Sequence, residues 1–161
     1  MGNCFYIEDM HWNSLAHRAK KTEISEKTGR YKRKKRFGKS IANKAPAMLV
    51  DMLEQKCKSL ELDVVMVNTS LKASQYNHQT GKYEKKTLSQ RWNHMPDGEQ
   101  IQRDLYSAFL LQHVVPEKNA FDNEALCRDY PKFVQYHHEV IERLRSLPKT
   151  ISSMGIRRSV S

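Results

Sequence analysis

Apolar and polar positions follow two periods along this chain. Cys4-Phe5-Tyr6-Ile7 is a short apolar run ending in Glu8-Asp9, and it reads as a buried strand with a carboxylate at its C-terminal end. Asn13 is placed to cap a short helix from Ser14 to about Lys21. Pro46 suits the first turn of the next helix, where its missing N–H costs nothing. Leu49, Val50, Leu53, Cys57 and Leu60 make the apolar stripe of that helix, while Asp51, Glu54, Lys56 and Lys58 face water. Met48 and Met52 read as core filler. Asp63 to Val67 reads as a fully buried strand. Strand, helix and strand at this spacing predict a right-handed crossover and a parallel pair.

The second half carries the helical period more strongly. Residues 68–100 are polar and rich in turn formers, and Thr80-Gly81 marks a hairpin or a flexible insertion. Pro96-Asp97-Gly98 is a turn signal just before an apolar helix over Gln102 to Leu111. Ile101, Leu105, Ala108 and Phe109 mark the expected buried face of that helix. Pro116 stops it, and Glu117 to Asp129 reads as loop with one short helical turn. Pro131 opens a last helix to about Leu147, with Phe133, Val134, Val140, Ile141, Leu144 and Leu147 as its stripe. His137 and His138 are adjacent, so they lie on different faces and do not chelate together. The Ser-rich, basic tail over 149–161 is expected to be disordered.

The 161 residues suffice for one domain with a core of its own. No apolar run approaches the ~18 residues of a membrane span, and no secretory signal is visible, so no membrane partner is expected. Met1-Gly2-Asn3-Cys4 has the start of an acylation signal, but Tyr6 stands where that signal wants Ser or Thr. Cys4, Cys57 and Cys127 are odd in number, far apart and without a CxxC pair. They fit a reducing cytosol, and a cytoplasmic location is the expectation.

Charge changes the picture most. The formal net charge is +10, and residues 18–44 hold 12 Lys/Arg against only Glu23 and Glu26. The remaining chain has 16 basic and 16 acidic residues, so the whole surplus sits in this one segment. It is densest at Lys32, Arg33, Lys34, Lys35 and Arg36, between Tyr31 and Phe37, with Lys39 close behind. Such a block repels itself and stays solvated unless a polyanion lies against it. The flanking aromatics favour nucleic acid as that polyanion.

Two acids stand out as candidate chemistry. Glu8 closes the first strand, and in open parallel sheets functional groups gather at such strand ends. Asp104 falls in the first turn of its helix, where a lone carboxylate is usually a partner of the helix dipole. His78 and His94, without cysteines or paired acids nearby, make a poor zinc site.

Three segments resemble the C-terminal part of the OrfB/TnpB family of transposon-encoded proteins, relatives of the RuvC-like nuclease domains of type V CRISPR effectors. They are FYIED at Phe5–Asp9, FGKSIANKAPAMLVDML at Phe37–Leu53, and LSQRW at Leu88–Trp92 followed by QRDLYSAFL at Gln102–Leu110. The resemblance covers roughly residues 4–111. It implies an α/β class, a partial RNase H-like (RuvC-like) fold with a short parallel strand pair, flanking helices and a C-terminal helix. The implied organisation is a RuvC-like part over 1–115, containing the basic segment 18–44 and a degenerate zinc-ribbon region over 68–100, then a helical extension over 116–148. Family members cut DNA with three carboxylates that hold divalent ions. Glu8 matches the second acid and Asp104 the third, so both are the implied catalytic and metal-binding residues for Mg²⁺ or Mn²⁺. Hard cations of this kind favour carboxylate oxygens and can activate a water at a phosphodiester.

The departures are equally specific. The family's first acid lies on an earlier strand with no counterpart in this sequence, and Asp9 points elsewhere on its strand. Ser74 to His78 and Asn93 to Pro96 occupy the zinc-ribbon region without cysteine, so no zinc is expected. An incomplete metal site and no nuclease activity alone are the expectation. The implied partners are DNA and guide RNA, touched by the basic segment with Arg91 and Arg103, and a full-length relative or N-terminal piece. The alternatives are a non-catalytic basic nucleic-acid-binding module and an accessory protein that docks through an exposed strand edge.

Overall fold

A computed structural model of the chain describes residues 3–12, 14, 22–31, 38–87, 89–148 and 151–157. The chain is mixed α/β and divides into two compact units, 1–5 with 9–64, and 6–8 with 65–161. Strand β1 (Cys4–Glu8) pairs in parallel with β2 (Asp63–Val67), as the strand–helix–strand spacing predicts. The division between units passes across both strands.

The first unit holds the described part of the basic segment and a helix on either side of Ala45. Gly29 (φ 63°) turns the chain so that Ile24 bridges Tyr31, with the Ser25 N–H donating to the Arg30 carbonyl at 2.9 Å. Helix α1 (Gly38–Lys44) ends at Ala45, whose left-handed backbone (φ 40°) redirects the chain into α2 (Pro46–Ser59). Pro46 opens α2 as expected, and Cys57 is its buried residue. The expected stripe is otherwise thin. Met48, Leu49, Met52 and Leu60 are all more than half exposed, so the two methionines are surface residues and not core filler. Phe5 on β1 and Met66 on β2 are exposed as well, so neither strand is fully buried. A two-strand ladder offers too little sheet to cover a helix face or to sandwich a strand. The short helix expected after Asn13 lies mostly outside the described residues.

Among the described residues, the second unit contains three antiparallel hairpins and two packed helices. Strands β3 (Tyr76–Asn77) and β4 (Lys82–Tyr83) form a hairpin at Thr80-Gly81, one of the two outcomes expected there, in register Tyr76↔Tyr83. Strands β5 (Trp92–His94) and β6 (Gln100–Gln102) close over the Pro96-Asp97-Gly98 turn, where Gly98 takes φ 91°. Helix α3 (Arg103–Gln112) follows β6 directly. Ile101 therefore belongs to the strand, and the buried face of α3 is Tyr106, Phe109 and Leu110 rather than Leu105 and Ala108. Strands β7 (Val114–Val115) and β8 (Ala120–Phe121) enclose a 3₁₀ turn started by Pro116.

The last helix, α4 (Asn123–Ser146), begins eight residues before the expected Pro131. Asp122 caps it by accepting the Ala125 N–H at 3.0 Å. Pro131 sits inside it; the proline and Cys127, whose carbonyl it leaves unbonded, are both exposed, so water can solvate that carbonyl. Leu126 and Tyr130 from α4 join Ile101, Tyr106, Phe109 and Leu110 in one buried cluster. Ala73, Tyr76 and Met95, from the region expected to be a degenerate zinc ribbon, complete it. A smaller cluster holds Val67, Leu71 and Val114.

Of the tail expected to be disordered, residues 151–157 are described and form a short turn. Ile151 bridges Ile156 around a 3₁₀ turn at Ser152–Met154, and Ile156 is only 1% exposed. Among the described residues no helix is long and apolar enough to cross a membrane.

Candidate functional site

The N-terminus of α3 is held by Gln102, a residue completely withdrawn from solvent. Its side-chain Oε1 accepts the N–H groups of Asp104 at 2.8 Å and Leu105 at 2.9 Å, which caps the helix. Its Nε2 donates to the Met154 carbonyl and to Asp104 Oδ2, both at 3.3 Å. Its backbone N–H donates to Nε2 of His137 at 3.0 Å. One residue thus ties α3 to α4 and to the 151–157 segment. Glutamine is an unusual cap, which is why residue preferences did not point to it.

Asp104 lies where the sequence reading puts it, in the first turn of α3. Its Oδ1 accepts from Arg103 Nε at 3.1 Å and pairs with Nη2 at the same distance. Arg103 Nη1 donates to the carbonyls of Gln90 at 3.2 Å and Thr87 at 3.5 Å. The Arg103 side chain is 12% exposed and committed within the fold, whereas the Asp104 side chain is 48% exposed. Both carboxylate oxygens therefore already face donors. Glu8, at the end of β1, is half-buried, and desolvation raises its carboxyl above the ordinary range.

A divalent ion at Asp104 would compete with Arg103 and Gln102 for its carboxylate oxygens. Among the described residues, no group of three or more His, Cys, Asp or Glu is arranged to hold a metal.

Of the residues assigned to nucleic acid, Lys32, Arg33, Lys34, Lys35 and Arg36 lie outside the described residues. Lys39 falls in α1, and Tyr31, just before the block, is 75% exposed. Arg91 is half-buried; its carbonyl accepts the Arg103 N–H at 2.9 Å, and its side chain runs beside Gly155.

The sequence reading missed the surroundings of His137. That imidazole is 3% exposed, and desolvation, reinforced by the neighbouring His138, lowers its pKa to about 4. Since Nε2 accepts a hydrogen bond, the neutral ring carries its proton on Nδ1, which is buried without a partner. The spacing Tyr130, Phe133, His137, Ile141 was the available signal, because it places His137 on the apolar face of α4. His138, one residue on, instead reaches Glu99 at 2.9 Å.

Beside His137 opens a cleft of about 540 Å³ lined by Trp92, Ile141, Glu142, Arg145 and Arg157 among others. The Trp92 indole N–H donates to the Gly155 carbonyl at 3.0 Å, which fixes both the ring and the 151–157 segment. Compared with protein-family models, with curated proteins and with solved structures, the chain matches none of them.

Proposed function

We propose that this chain is a nucleic-acid-binding protein of the OrfB/TnpB type, the C-terminal part of a RuvC-like, RNase H-like domain. Its affinity resides in the basic segment over 18–44, and it does not cut DNA alone. The observation that carries this reading is that the whole surplus of ten positive charges lies in that one segment. A surface of this kind binds by neutralising phosphates and releasing counterions, with little sequence preference. Glu8 ending a strand and Asp104 opening a helix support the family assignment. The Arg103–Asp104 pair supports binding over cleavage, because it sets a positive charge against one of the two candidate acids.

The test is the salt dependence of binding to single- and double-stranded DNA and to RNA. Replacing Lys32, Arg33, Lys34, Lys35 and Arg36 by glutamine flattens the dependence of log K on log salt, by about 0.9 for each duplex phosphate that is no longer neutralised. Binding that is unchanged by those substitutions overturns the assignment.

A further inference from the structure

We infer that the cleft between α4 and the 151–157 segment is a nucleotide subsite that takes one unit of a single strand. Its base would lie against Trp92 and its phosphate between Arg145 and Arg157. The inference rests on the nucleic-acid reading above and adds a second contact, far along the chain from the basic block.

Volume, apolar surface and charge all meet in this cleft. At about 540 Å³ it falls within the range of small-ligand sites. Its apolar wall is Trp92 with Ile141, and the Trp92 ring is held in place by the Gly155 hydrogen bond and by its edge-on packing against His137 at 6.0 Å. An indole fixed in this way is a stacking surface that does not need to be ordered when a base arrives.

Arg145 and Arg157 both line the cleft, and neither guanidinium has an ion pair or hydrogen bond among the described residues. Two unpaired guanidiniums at one opening fit a phosphate, whose oxygens accept their N–H groups in pairs. Arg157 reaches this position because Ile156 is buried and the Met154 and Gly155 carbonyls are both bound. Of the acids lining the cleft, Glu99 is taken up by His138. Glu142 is left to oppose the two arginines, and it sets the sign of a decisive substitution.

The experiment uses the full chain carrying Trp12→Phe, which leaves Trp92 as its one tryptophan. Tetrathymidylate is titrated at low salt while Trp92 fluorescence is followed, and a long single strand is titrated in parallel. Saturable quenching by tetrathymidylate is expected. It should weaken about tenfold in Arg145→Gln/Arg157→Gln and tighten in Glu142→Gln. It should persist when Lys32 to Arg36 are neutralised, although the long strand then binds more weakly. Absence of a Trp92 response in protein that still binds the long strand overturns the subsite and leaves the basic-segment reading standing. Quenching that ignores both arginines and Glu142 also overturns it. Long-strand binding indifferent to neutralisation of Lys32 to Arg36 overturns the basic-segment reading instead. Glu142, Arg145 and Arg157 are exposed side chains, so their substitution leaves the core intact, and circular dichroism checks that each variant folds.

Discussion

His137 accepts the backbone N–H of Gln102 through Nε2 at 3.0 Å, inside the protein, across 35 positions of sequence. That bond joins the last residue of β6 to the middle of α4, and it is available only to the unprotonated ring. A proton on Nε2 would set one N–H against another at a ring that is only 3% exposed.

Stability should therefore fall in mildly acidic solution. The folded pKa of His137 is about 4, below its ordinary 6.5, so the unfolded chain binds more protons between these values. The contribution of His137 is intact above pH 6.5 and is lost as pH falls through the window to about 4, a change of up to about 3 kcal/mol before screening. Glu99 opposes the shift, while His138 and Arg145 reinforce it. Urea unfolding at pH 7 and pH 4.5 checks this. In His137→Phe the difference between the two pH values shrinks, while stability at pH 7 drops by about 1–3 kcal/mol because the Gln102 N–H is orphaned. An undiminished pH effect in that variant would place its origin elsewhere.

Gly155 should resist substitution more than other glycines with the same backbone sign. It has φ 71°, and an added Cβ would come within 2.7 Å of Arg91 Cβ. Gly81 has a similar φ of 67° but nothing within 4 Å. Gly81→Ala is expected to cost about 1 kcal/mol of left-handed strain, whereas Gly155→Ala adds a steric clash and releases the 151–157 segment. Thermal unfolding ranks the two, and proteolysis beyond Leu147 reports release of the segment. Equal losses would mean that the close approach to Arg91 is easily relieved.

Asp104 should bind Mg²⁺ or Mn²⁺ weakly, and the chain alone should not nick plasmid DNA. The motive is that Arg103 and Gln102 already serve both carboxylate oxygens. Arg103→Gln frees one oxygen and should tighten metal binding by calorimetry, and Asp104→Asn should abolish whatever remains. Metal-dependent nicking by the unaltered chain that disappears in Glu8→Ala would reverse this conclusion and restore the two acids as a working pair.

Local signals were read correctly where one residue type decides the outcome. Pro46 begins α2 and Gly98 turns the β5–β6 hairpin. Periodicity failed where the partner surface was misjudged. Met48, Leu49 and Met52 have helical spacing, but β1 and β2 are too small a sheet to bury them. On α3 the buried face turns to Tyr106 and Leu110 because β6 runs to Gln102 and takes Ile101 with it. Pro131 looked like a start and is an interior residue, because Asp122 supplies an earlier cap and the proline faces solvent.

What the sequence determined by itself is the distribution of charge, the turns, and the position of Asp104 at the head of a helix, since each depends on neighbours a few residues away. Tertiary packing fixed that Arg103 is tied to the Gln90 carbonyl, that Gln102 and His137 share a buried bond, and that residues 151–157 are anchored at Ile156. Those outcomes depend on desolvation and on hydrogen bonds between segments far apart in the chain, and no local pattern encodes which distant group will be the partner.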